Sequence, residues 1–120
     1  MLNAVLDALR ELRPPFAPYE SDIHHMVGER LKAAGLPCAH EARIGKGCRI
    51  DYLVGGVGVE IKKGKPDVQA LIKQLMRYAA CEGVEAIVVV TQRSVALPGS
   101  VGGKPVRAVA LNQLWGVALK

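Results

Sequence analysis

Aromatic side chains are scarce in this 120-residue chain, which has one Phe, one Trp and three Tyr. Aliphatic residues must therefore fill any core, and a platform of stacked rings for reading nucleobases is not expected. Cysteine is equally sparse. Its three copies, Cys38, Cys48 and Cys81, form an odd set with no CxxC spacing, which points to reduced thiols rather than a disulfide framework or a zinc site. No apolar run approaches the ~20 residues of a membrane-spanning helix. The first residues are amphipathic and carry Asp7 and Glu11, unlike the uninterrupted apolar stretch of a secretion signal. A cytoplasmic protein with no membrane partner is the expectation. Internal repeats and low-complexity tracts are also lacking.

Half of the residues are apolar and 22% are charged. That is enough apolar surface for one globular domain spanning residues 1–120, and too little charge for wholesale disorder. The formal net charge is +5, which is compatible with a nucleic-acid partner without requiring one.

The stretch that organises the chain is residues 48–65, CRIDYLVGGVGVEIKKGK. Two runs of β-forming residues flank Gly55-Gly56, a dipeptide suited to a tight hairpin turn. With those two glycines as the turn, Val54 faces Val57, Tyr52 faces Val59 and Asp51 faces Glu60. Side-chain alternation then puts Arg49, Asp51, Glu60 and Lys62 on one face, and Ile50, Tyr52, Val54, Val57, Val59 and Ile61 on a core-facing one. Two carboxylates placed opposite each other repel, and a divalent cation is a usual reason to tolerate that. A four-residue turn would instead set Asp51 opposite Lys62, still on the same face.

The remaining elements follow from periodicity. Residues 2–12 carry a helical stripe (Leu2, Val5, Leu6, Leu9, Leu12) that Pro14-Pro15 stops. This N-terminal helical extension, residues 1–13, either packs on the domain or joins two protomers into a homodimer. Residues 19–34 form a second helix after Pro18, with Ile23, Met26, Val27 and Leu31 on one stripe and Gly35 as its stop. Glu20 and His24 share one face of it. Residues 37–44 read as a strand leading through a Gly-Lys-Gly turn into the hairpin, which makes three antiparallel strands in succession. Residues 67–81 form a helix with Val68, Leu71, Ile72, Leu75 and Ala79 buried. Gln74 and Tyr78 lie beside that stripe, and Lys73 and Arg77 form a basic strip. Residues 85–91 are a strand buried on both faces, reached by a helical crossover that implies a mixed sheet. Residues 97–105 read as a loop, 106–111 as a last strand and 112–115 as a closing helical turn. Gly102-Gly103-Lys104 is no phosphate loop, because Pro105 stands where Ser or Thr would hold magnesium.

Asp51, the triplet Glu60-Ile61-Lys62 and the pair Gln74 and Tyr78 together resemble the signature of the PD-(D/E)xK nuclease superfamily, in its RecB-like branch with a QxxxY motif. Ile50 stands where the superfamily name has proline, and the resemblance covers residues 19–91. It implies an α/β restriction-endonuclease-like core, a mixed sheet with an antiparallel hairpin flanked by helices, to which the N-terminal helix is an addition. It also implies hydrolysis of DNA phosphodiesters with Mg²⁺ or Mn²⁺, in DNA repair or recombination. The metal ligands would be Asp51, Glu60 and the backbone carbonyl of Ile61, with Glu20 or His24 completing the site. Lys62 would orient or deprotonate the attacking water or stabilise the transition state. Gln74 and Tyr78 would organise the site. By position and charge, apart from the resemblance, Arg49 either holds a substrate phosphate or pairs with a carboxylate, and Lys73 beside Arg77 either touches backbone phosphates or stands on a solvated face. Three cysteines fall short of the four that iron–sulfur relatives employ. Two alternatives share the fold: a Holliday-junction or branched-DNA resolvase, and a catalytically inactive nucleic-acid-binding module. Residue by residue there are plainer roles, with Glu20 complementing a helix N-terminus, the histidines on the surface and Lys62 paired to a carboxylate.

Overall fold

The computed structural model describes residues 1–13 and 19–118. Its elements are α1 (Leu2–Leu9), α2 (Glu20–Ala33), β1 (Ala39–Gly45), β2 (Cys48–Val54), β3 (Val57–Lys62), α3 (Val68–Ala79), β4 (Ala86–Thr91), β5 (Ser100–Val101), β6 (Lys104–Ala110) and α4 (Leu111–Ala118). The strands make one six-stranded sheet in the order β1-β2-β3-β4-β6-β5. β1, β2 and β3 form an antiparallel meander, whereas β3, β4 and β6 run parallel. The protein is therefore α/β with a mixed sheet flanked by helices, as the alternation of patterns implies. No helix among the described residues is long and apolar enough to cross a membrane.

The sheet separates two apolar clusters. On one face Val5, Leu6, Leu9 and Leu12 meet Ile23, Val27 and Leu31 over Tyr52, Val54, Val57, Val59, Ile61, Val88 and Val90. The N-terminal helix thus spends its stripe inside the chain. Its regular part ends at Leu9, although Leu12 is still buried. Pro14-Pro15 and Pro18, expected to bound the first two helices, lie outside the described residues. On the other face Leu71, Leu75, Tyr78 and Ala79 of α3 cover Ile50, Ile87, Val89 and Val106. Every residue of β4 is buried, as befits a central strand covered on both sides.

Local signals set the helix ends. Asp67 accepts hydrogen bonds from the Gln69 and Ala70 amides at 3.0 and 3.2 Å, which starts α3. Asp22 accepts from the Tyr19 amide at 3.0 Å, and Gly35 takes a φ of 75° just past the end of α2.

Four expectations need correction. Residues 97–105 are not all loop: Ser100 and Val101 pair with Pro105 and Lys104 around Gly102 and Gly103, both at positive φ. Two paired residues are too few to show an alternation, so only the Gly-Gly turn announced them. The closing turn is longer, a helix beginning at Leu111. Tyr78 lies in the buried stripe of α3 rather than beside it. The fourth correction concerns the face of Ile50. The register Val54↔Val57 and Tyr52↔Val59 is as expected, with Gly55 (φ 58°) the left-handed residue of the turn. However, the β1–β2 pairing passes over Glu41 and Asp51, and Glu41 adopts φ 51°. Such a backbone in a non-glycine residue costs on the order of 1–3 kcal/mol and marks a break in the pleat. Past that break Ile50 turns into the α3 cluster, while Tyr52 stays with α2. By alternation Arg49 then points away from α3, so it does not share the face of Glu60 and Lys62.

Candidate active site

The break in the pleat builds the site. The β2–β3 pairing runs back from the turn as far as Tyr52↔Val59. Beyond it, carboxylates take over the amides. The Ile61 amide donates to Asp51 Oδ2 at 2.8 Å, and the Asp51 amide donates to Glu60 Oε1 at 3.4 Å. Each acidic side chain is thereby anchored to the strand that bears the other.

Glu60 is 5% exposed, and three side chains converge on its Oε2. Gln74 Nε2 and the Tyr78 hydroxyl each donate at 3.1 Å, and Lys62 Nζ lies 3.3 Å away. Gln74 also donates to the Tyr78 oxygen at 2.7 Å, and Tyr78 Oη lies 3.3 Å from the Arg49 carbonyl oxygen. The i, i+4 spacing on α3 is what aims Gln74 and Tyr78 at one carboxylate. Burial, and then the Asp51 carboxylate, push the Glu60 pKa above the ordinary range, while Lys62 and the Tyr78 hydroxyl act against the rise. Tyr78 is held as a phenol, chiefly by its burial and then by Glu60, so it remains a donor. Beside Lys62 and Gln74 a cleft of about 180 Å³ opens, lined also by Pro66, Asp67, Ala70 and Leu71. The Gly64 amide bonds to Gln92 Oε1 at 2.7 Å and holds the chain leaving β3.

Five residues singled out in the sequence thus meet: Asp51, Glu60, Lys62, Gln74 and Tyr78. Arg49 joins them through its carbonyl, and Ile61 through its amide. Lys73 is exposed on α3. Glu20 and His24 lie elsewhere, on a cleft of about 690 Å³ shared with Glu41, His40 and Tyr52. No set of three His, Cys, Asp or Glu side chains gathers as a metal cage among the described residues, so neither joins Asp51 and Glu60 in one. In that second cleft His40 stacks on Tyr52 with ring centroids 4.6 Å apart, and the Tyr52 hydroxyl donates to the His24 carbonyl at 2.8 Å. Sequence reasoning missed this stack, although the pairing of residues 40 and 52 follows once the turn of the first hairpin is placed.

No family model, curated protein or solved structure matches the chain. The case for function therefore rests on the residues and their geometry.

Proposed function

We propose that this protein is a metal-dependent DNA nuclease with a restriction-endonuclease-like core, hydrolysing phosphodiesters at Asp51, Glu60 and Lys62. The observation that carries the reading is Glu60, a buried carboxylate with a raised pKa that sits against a second carboxylate and three donors. A buried acid beside another acid is costly for a fold and useful for chemistry. The donor set suits a hard cation: two carboxylates from adjoining strands, with Asp51 Oδ2 and Glu60 Oε1 each holding a backbone amide. Mg²⁺ keeps several of its waters and asks little more of a protein than one or two carboxylates. Asp51 and Glu60 would hold Mg²⁺ or Mn²⁺, which when bound supplies an activated water and neutralises phosphoryl charge.

The other roles belong to the chain itself. Gln74 and Tyr78 fix the rotamer of Glu60, and the Ile61 amide fixes Asp51. Lys62 is 29% exposed on its side chain, and it brings a positive charge and a proton to the rim, where a phosphoryl oxygen or the attacking water can reach it. The exposed Lys63, Lys65 and Lys73 offset the repulsion that the carboxylates exert on an anionic polymer.

The test is cleavage of closed-circular and linear DNA, single- and double-stranded, with Mg²⁺, Mn²⁺ or EDTA, by wild type and Lys62→Ala. Metal-dependent cutting that falls by on the order of 10²-fold or more in the variant is expected. Absence of cutting on these and on branched junctions, or cutting unchanged in Lys62→Ala, would overturn the assignment.

A further inference from the structure

The β1–β2 hairpin carries a feature that the proposed chemistry does not use. Arg43 and Arg49 are direct cross-strand partners, and both are exposed. Ala42, Ile44 and Ile50 turn into the α3-side core, so alternation leaves the two arginines together on the other face. Like charges placed opposite each other in an antiparallel pair are destabilising, on a scale of ~0.2–1 kcal/mol. No neighbour offsets this. The ion pairs among the described residues are Arg30–Glu11, Lys32–Glu29 and Lys62–Glu60, so neither arginine has a carboxylate partner. Lys46, exposed in the turn, adds a third cation. The two arginines, Gly47 and Cys48 line a shallow cleft of about 370 Å³. Gly47, at φ 70°, has open space where a side chain would stand.

We propose that Arg43 and Arg49, with Lys46, form a docking site for the phosphodiester backbone of a polynucleotide. The proposal rests on the nuclease reading of Asp51, Glu60 and Lys62. Guanidinium groups match a phosphate bidentately, and two of them on one face can bracket it. Position favours a polymer over an isolated anion. Arg49 lies two residues before Asp51, roughly 7 Å along the strand, and Tyr78 links its carbonyl to the Glu60 cluster. The arginines lie on the opposite face from Glu60 and Lys62, so only a polymer that runs around the end of the sheet can touch both sites. The plainer role is that charge on the β1 edge discourages strand-to-strand association, which demands no affinity for DNA.

Binding of a short fluorescein-labelled DNA duplex, followed by anisotropy in EDTA over a KCl series, separates the two. Arg43→Gln and Arg49→Gln should each weaken binding several-fold and lower the slope of log K against log salt by ~0.9, and the double variant by about twice that. Arg10→Gln, which removes an exposed charge just past the end of α1, should leave the slope unchanged. Thermal midpoints of the single variants should equal or exceed that of wild type, because repulsion is relieved. Slopes unchanged in both single variants, wild type that fails to bind the duplex, or weakened binding accompanied by a lowered midpoint would each overturn the docking site. EDTA keeps cleavage out of the readout. Intact binding without any cleavage would count against the nuclease reading alone, and unchanged slopes in a protein that cleaves would count against the docking site alone.

Discussion

Replacing Tyr78 by Phe removes one oxygen from a side chain that is 3% exposed, and its effect on stability should depend on pH. The hydroxyl has one proton to donate, and Glu60 Oε2 at 3.1 Å competes for it with the Arg49 carbonyl at 3.3 Å. Once ionised, the carboxylate is the stronger acceptor as well as the closer one, so it takes the proton. Hydrogen bonds to charged groups are worth ~1.5–3 kcal/mol. The ring stays, and Gln74 and Lys62 still reach Glu60, so a net loss of about 2 kcal/mol at pH 8 is expected. Against a total of ~5–15 kcal/mol the variant still folds, with its midpoint lowered by roughly 8 °C for a chain of this size. The folded-state pKa of Glu60 is already above its ordinary 4.5. A raised carboxyl pKa gives a contribution that is complete below the unfolded-state value and is lost as pH rises through the folded-state value. Tyr78 is one of the groups that lower that pKa, so removing it raises the value further and makes ionised Glu60 costlier. The difference between wild type and variant should therefore be small near pH 4 and open as pH rises towards 8. Urea unfolding followed by circular dichroism at the two pH values reads this directly. An equal difference at both, or a larger one in acid, would refute the assignment of the Tyr78 proton to Glu60.

Two further substitutions test the site and its frame. Glu60→Gln removes a buried charge and its repulsion with Asp51, but it sets an amide N–H₂ against a group that donates to Glu60. The two effects oppose each other, so stability at pH 8 should change by no more than about 2 kcal/mol, while metal-dependent cleavage falls by on the order of 10³-fold; unfolding and cleavage assays on one preparation show whether the two part company. Gly28→Ala should destabilise by about 1–3 kcal/mol although alanine is the better helix former, because the new Cβ would stand 2.5 Å from the Tyr52 hydroxyl oxygen and 3.1 Å from its ring; an increase in the thermal midpoint would show that the ring yields without cost.

Legibility differed from element to element, for physical reasons. The hairpin register is readable because Gly55 supplies the turn and five of the six residues facing inward between 50 and 61 pack where alternation puts them. Ile50 does not, since alternation holds only while the ladder is unbroken; the β2–β3 pairing stops at Tyr52, and across from it on β1 the pairing passes over Glu41, which has a positive φ. Nothing in the residue type of Glu41 announces that conformation. Gln74 and Tyr78 are visible as a pair by their spacing, but the burial of Tyr78 depends on how α3 rolls on the sheet. The cleft that holds Glu20 and His24 needs α2 to be docked against β1, a long-range placement that no local pattern contains.

The same break explains why the candidate site is also a structural joint, and it decides which variants are informative. Where the β2–β3 ladder stops, the amides of Asp51 and Ile61 need acceptors, and Glu60 and Asp51 provide them. Truncating Asp51 would orphan the Ile61 amide and cost ~1–3 kcal/mol of stability, so lost activity in Asp51→Ala could reflect a displaced strand as readily as missing chemistry. Lys62 differs. Its ammonium group pairs with Glu60 and is partly exposed, so its removal orphans no backbone amide. It does strip buried Glu60 of the group that most lowers its pKa, so a stability loss of at least about 2 kcal/mol is expected at pH 8, shrinking towards pH 4. A large loss of cleavage in Lys62→Ala, measured where unfolding shows the variant still fully folded, is therefore the cleaner mark of chemistry at this joint.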